Sequence, residues 1–292
     1  MKENEKAFCQ TRKIPDVPDG DKSSRTKLYK QKARDLGADL VGIVSGERFS
    51  VLAEKIPQIP ATAKSAIVIG RRIMRGSLRG VEEGTNFKST YWFFGCLWVE
   101  QQFLPRTVFE MVRFLESEGM GSVPASSEDI DVNVIAEAAG LGKIGLGDFF
   151  LTQEYGHRQR LSVIFTDAEL ESDSEYNFDF CSGCRACLDA CPLGAVTENA
   201  DGAFNVNLKI CADCKNGAIP KVGSRTYLVA AKTQAAGSEE EGYTDRIAAA
   251  CGRACMVALE GRLIKPFQNK FRKRSVWWVD NDGEVHVGKE EK

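Results

Sequence analysis

The sequence predicts an α+β protein in two parts, a layered core of helices and strands followed by a smaller cysteine-bearing domain. Three observations predict it. Helical and strand-like segments alternate between residues 26 and 170. An acidic, serine-bearing stretch from Asp167 to Asp179 then interrupts them. Beyond it, eight of the ten cysteines crowd between Cys181 and Cys255.

The elements follow in order. Residues 1–25 are polar and hold Pro15 and Pro18, with no apolar signal core and no twin arginine, so they read as a disordered leader of a cytoplasmic protein. Thr26–Leu36 reads as a helix stopped by Gly37. Asp39–Ser45 and Ser65–Gly70 are apolar runs of strand length, with a short helix at Phe49–Ile56 between them. Arg75–Gly84 reads as a loop, and the aromatic run Tyr91–Trp98 leads into a second long helix. Pro105 suits that helix's first turn; Val108, Met111, Val112 and Leu115 share one face, and Gly119 ends it. A short helix at Val132–Ala139 runs into the glycine-dense Gly140–Gly147. Phe149–Thr152 and Arg160–Thr166 read as two strands joined through Glu154-Tyr155-Gly156. In the second part an alanine-rich helix, Asp245–Glu260, carries Cys251 and Cys255 on successive turns. Lys265–Arg274 reads as a basic linker, and Ser275–Asp280 with Glu284–Val287 as a hairpin across Asn281-Asp282-Gly283. The expected division is leader 1–25, core 26–170, cysteine domain 171–265, and linker with hairpin 266–292.

Composition narrows the function classes. The formal net charge of −2 gives no reason for nucleic acid or an anionic membrane as partner. No apolar run approaches the ~18 residues of a membrane span. Ten cysteines in a chain read as cytoplasmic point to metal ligation rather than disulfides, and two histidines supply almost no material for a histidine site.

The run Cys181-x2-Cys184-x2-Cys187-x3-Cys191-Pro192 carries the chemistry. Three cysteines turned round one corner supply most of a [4Fe–4S] cubane, and in two-cluster ferredoxins the fourth, before proline, serves the other cluster. A structural zinc site uses two separated pairs and needs no interleaved third cysteine. Cys211-x2-Cys214 and Cys251-x3-Cys255 add four thiolates, giving the eight that two cubanes need. The later pairs lie 36 residues apart and Met256 stands in place of a second proline, so the segment between them reads as an inserted helix or loop. Cys96, among aromatics, reads as an inert thiol, and Cys9 as a leader residue without a role.

Gly140, Gly142 and Gly145 match G-x-G-x-x-G, but a helix precedes them and a strand follows, the reverse of a dinucleotide fingerprint. They read either as a tight helix-to-strand turn or as a place where backbone closely approaches a bound cofactor.

The stretch AEAAGLGKIGLGDFFLTQEYGHRQRLSVIFTDAEL, Ala136–Leu170, followed by Cys181–Pro192, resembles the superfamily of epoxyqueuosine reductases and reductive dehalogenases. The likeness rests on the order of an AGLG turn, an EYG turn, a strand ending in TD and the first cysteine run, and extends loosely over residues 26–265. It implies a nitroreductase-like core, a ferredoxin-like two-cluster domain, and delivery of electrons to a corrinoid, so that cobalamin is a candidate cofactor. It further implies that Cys181, Cys184, Cys187 and Cys255 share one cluster and Cys191, Cys211, Cys214 and Cys251 the other. The sequence departs from epoxyqueuosine reductases before the glycine turn: of their VD-x-x-P-V-L-E segment only Ile130-Asp131-Val132-Asn133 remains. The sequence reads as carrying neither the dehalogenase export signal nor the C-terminal repeat extension of some epoxyqueuosine reductases, so neither is expected.

The resulting expectation is a cytoplasmic iron–sulfur reductase that accepts electrons from a ferredoxin or flavodoxin and reduces a corrinoid or a small substrate. The glycine turn, through Gly140, Gly142 and Gly145, is the candidate cofactor contact. Asp131, Glu128 and Tyr155 are the candidate proton donors, each with a capping or surface role as the alternative. Two rivals are an electron carrier docking on a larger redox complex and a trafficking protein for a corrinoid or cluster. The ~150-residue domain ahead of the cysteines favours the enzyme, because a pure carrier needs no such domain.

Overall fold

The computed structural model describes residues 21–78, 95, 97–125, 130–191, 193–215, 219–220, 227–228, 250–263, 267–268, 277–279 and 285–287. Cys9, Cys96, Glu128, most of the expected leader and most of the Arg75–Gly84 loop lie outside them.

The first helix, α1 (Lys22–Asp35), begins inside the stretch read as leader. The Thr26 hydroxyl donates to the Lys22 carbonyl and accepts from the Glu171 amide at 2.7 Å, tying the first turn to the distant acidic stretch. Gly37, at φ +99°, ends the helix as expected. Then come β1 (Leu40–Ser45), α2 (Gly46–Lys55) and β2 (Ser65–Arg72). A single π-helical turn, Val99–Phe103, leads into α3 (Leu104–Ser117), which Gly119 at φ +79° closes. β3 (Ser122–Ala125), α4 (Val132–Ala138), the two-residue strands β4 (Lys143–Ile144) and β5 (Phe150–Leu151), and β6 (Gln159–Thr166) complete the core.

The main sheet has the order β1-β2-β6-β3, with every neighbour antiparallel. One row of its register runs Ile43, Ile67, Ile164 and Pro124. Helices cover both faces, which is why β1 and β2 read as unbroken apolar runs. On one face Ile43, Ile67 and Ile164 pack on Tyr29 of α1 and on Met111 and Leu115 of α3. On the other, Val68, Val163 and Phe165 pack on Phe49 and Leu52 of α2 and on Ile135 and Ala136 of α4.

Two local expectations are corrected. β3 was not foreseen; it is short, carries Pro124, and pairs on one side only, the position where a sheet tolerates proline. The Phe149–Thr152 strand does not join Arg160–Thr166. It pairs backward, Lys143 with Leu151 and Ile144 with Phe150, so the glycine-dense stretch is itself a small hairpin. The EYG turn is closed separately by a bridge between Thr152 and Gly156.

The cysteine-bearing part comprises α5 (Ala186–Asp189), the hairpin β7 (Val196–Glu198) with β8 (Phe204–Val206), α6 (Leu208–Lys215), the pair β9 (Ile219–Pro220) with β10 (Tyr227–Leu228), and α7 (Ala250–Glu260). The expected C-terminal hairpin is present as β11 (Trp277–Val279) against β12 (Val285–Val287). The acidic stretch between the two parts is fastened to the core. Asp173 accepts from the Ile43 amide at 2.8 Å and pairs with Lys30, while Arg48 donates to the Ala138 carbonyl, the Ser172 hydroxyl and the Asp173 carbonyl. Among the described residues no helix is long and apolar enough to cross a membrane.

Candidate metal centre

The chain reverses sharply at the first two cysteines. Asp179 accepts from the amides of Cys181 and Ser182, Gly183 takes φ +66°, and the Cys184 amide closes the turn on the Cys181 carbonyl at 2.9 Å. α5 then carries Cys187, buried. Across from it, α7 packs along α5 and presents Cys255. The thiols of Cys181, Cys184, Cys187 and Cys255 line one cavity. The rest of its wall is apolar or backbone: Phe149 and Leu151 of the hairpin, Phe180, Leu259 of α7, and the turn Gly145-Leu146-Gly147.

At two glycines of that turn a side chain would press on a cysteine sulfur, and at Gly145 on Leu151 as well. A Cβ on Gly147 would lie 2.8 Å from the Cys187 sulfur, and one on Gly145 would lie 3.1 Å from the Cys181 sulfur. Neither has positive φ, so close approach rather than backbone freedom requires them.

Electrostatics separates the cysteines into two neighbourhoods. Burial pushes the Cys255 thiol far up, reinforced by Cys187, Cys181 and Cys184. Burial likewise pushes Cys251 up to about 11, reinforced by Cys191 and Cys211 and, more weakly, by Cys187. These neighbours disfavour thiolates at Cys255 and Cys251, and an iron–sulfur core held there would supply the positive charge that favours them. Cys211 and Cys214 lie three residues apart on α6, with Cys214 buried. Among the described residues no three His, Cys, Asp or Glu side chains are grouped as a single metal ion would require. Four thiols spread round a cavity instead suit a polynuclear cluster, whose four corners each take one sulfur.

The core reaches α7 through the EYGHR segment. Gly156, at φ +61°, lies against Met256, Leu259 and Leu263. His157 stacks on Phe149 at 5.0 Å and donates from Nε2 to the Gly252 carbonyl at 2.8 Å, between the two helix cysteines. Burial holds the His157 pKa below its ordinary value, so the ring is neutral near pH 7. About two turns further along α7, Glu260 holds Arg75 at 2.5 Å, with Arg158 buried beside them. The sequence reading missed these residues: the two arginines and the glutamate are charged side chains far apart in the chain, and no local pattern marks them as partners.

The candidate catalytic residues are not brought together. Asp131 is exposed and caps α4, accepting from the Asn133 amide at 3.0 Å. Tyr155 is half-buried near Asp39 and Arg72, and burial raises its pKa, keeping the phenol protonated. Neither lines the cavity.

Gly140, Gly142 and Gly145 are each faced by the chain itself. A Cβ on Gly140 would meet the Ser174 carbonyl, one on Gly142 the Leu151 carbonyl, and one on Gly145 the Leu151 side chain at 2.7 Å. Packing accounts for all three, and they offer no open cradle for a corrinoid. The turn also adjoins the first thiol set rather than standing far from it. Gly142→Val is therefore expected to lose iron and to cost roughly 1–3 kcal/mol through overpacking against the hairpin. Iron per chain and anaerobic thermal unfolding check this; a valine variant with full iron and unchanged stability would contradict it.

Comparison with known proteins fits this geometry. The 4Fe-4S binding domain family matches residues 174–197. Over 102 residues the chain is 32% identical to a tetrachloroethene reductive dehalogenase of Desulfitobacterium hafniense, a match covering 34% of this chain and 18% of that protein. Over 100 residues it is 34% identical to an epoxyqueuosine reductase of Gloeobacter violaceus, covering 33% and 31%. The chain thus spans less than a third of the length of either relative. Among solved structures, a catabolic reductive dehalogenase in complex with 3-bromo-4-hydroxybenzoic acid superimposes with a TM-score of 0.55 at 20% identity, over 87% of this chain and 34% of that one. A selenomethionine-labelled epoxyqueuosine reductase gives 0.50 at 19% identity, over 68% and 59%; both likenesses concern the fold. With the cysteine run, the AGLG and EYG turns and the shared fold all in place, the chain is similar, over about a third of its length, to the iron–sulfur superfamily of epoxyqueuosine reductases and reductive dehalogenases.

Proposed function

We propose that this chain is an iron–sulfur reductase that carries two [4Fe–4S] clusters and moves electrons singly from a ferredoxin or flavodoxin to an acceptor bound against its core. The observation that carries the reading is the cavity lined by Cys181, Cys184, Cys187 and Cys255, with thiols from both ends of the cysteine-bearing part. The second cluster falls to Cys191, Cys211, Cys214 and Cys251, supported by the placement of Cys191 and Cys211 around Cys251. The core of residues 26–170 is nitroreductase-like in this proposal, the cluster domain spans 171–265, and the protein works in the cytoplasm. When bound, the clusters supply one-electron storage. The chain's own residues hold them, exclude water through Phe149, Leu151, Phe180 and Leu259, and fix α7 through His157.

The acceptor is a small substrate reduced directly, or a corrinoid held by residues other than the glycine turn. Relatives of both kinds frame the choice, one solved neighbour being described by a mechanism for B12-dependent dehalogenation.

Anaerobically purified protein is expected to hold about eight irons per chain, as two cubanes of four. Protein without iron but with stoichiometric zinc would overturn the proposal. Titration of the same iron-replete protein with cobalamin decides the acceptor: a visible-spectrum change assigns the corrinoid, and no change at saturation leaves direct reduction. A protein whose reduced clusters no small oxidant reoxidises would instead be a carrier.

A further inference from the structure

The acidic stretch read from sequence as a domain boundary ends in a segment that is built into the wall of the first thiol set. Its side chains alternate. Glu175, Asn177 and Asp179 are exposed, Tyr176 and Phe178 are half-buried, and Phe180 is 2% exposed. Phe180 lines the cavity that holds the thiols of Cys181, Cys184, Cys187 and Cys255. It packs with Leu151 of the hairpin and Leu259 of α7, so one ring stands where the core meets the cluster helix. Two further rings brace it. Tyr176 stacks on it with centroids 5.7 Å apart and planes 7° from parallel, and Phe178 meets it edge-on at 4.8 Å. Neither of these two lines the cavity. The segment is also tied at both ends: the Phe180 carbonyl accepts from Arg262 Nη1 at 2.9 Å, and the Tyr176 hydroxyl donates to Gln153 Oε1 at 3.5 Å.

We infer that Phe180, held in place by Tyr176 and Phe178, is a seal that keeps water from the first cluster and so holds its reduction potential down. This rests on the two-cluster reading. A cubane held by four thiolates gains a negative charge on reduction. Water stabilises that charge and an apolar wall does not, so a sealed cluster takes its electron at a lower potential. A large ring fixed by stacked and edge-on partners suits the task, because it fills the wall in one orientation. Tyr176 acts only through Phe180 and is a positioning residue. The thiols packed against this ring group are those of Cys181 and Cys255, both of the first set. The second cluster therefore serves as an internal reference.

Anaerobic redox titration of the full chain, followed by paramagnetic resonance, tests this, with deuterium coupling read after exchange into heavy water. Phe180→Ala opens the wall. It is expected to raise the midpoint of the first cluster by about 59 mV, a tenfold change in a one-electron equilibrium, and to bring deuterons to that cluster, with the second unmoved. Tyr176→Ala removes no cavity-lining side chain and is expected to shift the first midpoint the same way by less. Tyr176→Phe keeps the ring and is expected to leave it unshifted. Iron-replete Phe180→Ala with both midpoints unchanged, both shifted together, or a shift without new deuterium coupling would overturn the inference. So would Tyr176→Phe shifting as far as Tyr176→Ala, since the hydroxyl rather than the stack would then matter. Should Phe180→Ala lose the first cluster, Tyr176→Ala is read in its place: a rise confined to the first cluster, with deuterons, supports the inference, and an unshifted midpoint overturns it. Loss of the first cluster in both variants would make the rings a binding element rather than a seal, which also overturns it. Failure of the two-cluster reading is separate: it appears in the unsubstituted protein as missing iron or a single resonance signal.

Discussion

Replacing Cys255 by alanine will remove about four of about eight irons and one of two resonance signals, and Cys184→Ala will remove the same signal. Cys191→Ala and Cys211→Ala will remove the other. The sorting follows from α7. Cys251 and Cys255 lie four residues apart, about 6 Å along the helix axis, and face different neighbours. Cys255 feels Cys187, Cys181 and Cys184 most strongly among the cysteines, and Cys251 feels Cys191 and Cys211 ahead of Cys187. One helix thus gives a ligand to each cluster, and the fourth cysteine of the first run, Cys191, joins the set that holds Cys251. Iron analysis with resonance spectra of the four reduced variants checks the pairing. Loss of one and the same signal in Cys184→Ala and Cys191→Ala would refute the crossed arrangement.

Local signals carried much of this architecture. The spacing of Val108, Met111 and Leu115 foretold the buried face of α3, and Gly37 and Gly119 stand in the left-handed conformation that stops a helix. The cysteine run was legible because three thiols round one corner have few other uses. What escaped depends on distant partners. Gly147 is explained by the Cys187 sulfur and Gly145 by the Leu151 side chain and the Cys181 sulfur, so the G-x-G-x-x-G match pointed toward a ligand when the chain itself filled the space. Two-residue strands such as Lys143–Ile144 have no period to detect, and their backward pairing is set by the tight turn between them. Asp131 looked like a candidate acid from its place before the glycine turn, where capping α4 is the job the structure gives it.

The largest stability effect is expected at Glu260. Its carboxylate holds Arg75 through both oxygens, at 2.5 and 3.2 Å, with the two side chains only 8% and 17% exposed. Arg158 is 4% exposed and feels the Glu260 charge most strongly among its neighbours, while its Nη1 donates to the Ile73 carbonyl at 2.9 Å. Both guanidinium groups also lie over the Phe267 ring, at 4.9 and 5.5 Å. Burial disfavours the Arg158 cation, and the nearby carboxylate offsets that cost. Glu260→Ala leaves two buried cations facing each other without their shared anion. Removing one partner of a buried pair costs about 3–5 kcal/mol. Glu260→Gln keeps an acceptor for Arg75 but not the charge, and is expected to lose less. Since Glu260 ends the helix that carries Cys251 and Cys255, the alanine variant is also expected to release iron at a lower temperature than the parent. Anaerobic thermal unfolding of the iron-loaded proteins, with iron release followed in the same scan, measures both effects. A loss below about 1 kcal/mol, the range of exposed pairs, would show that the core and the cluster helix are held together by apolar contacts such as Gly156 on Met256 and Leu259 rather than by this ion pair.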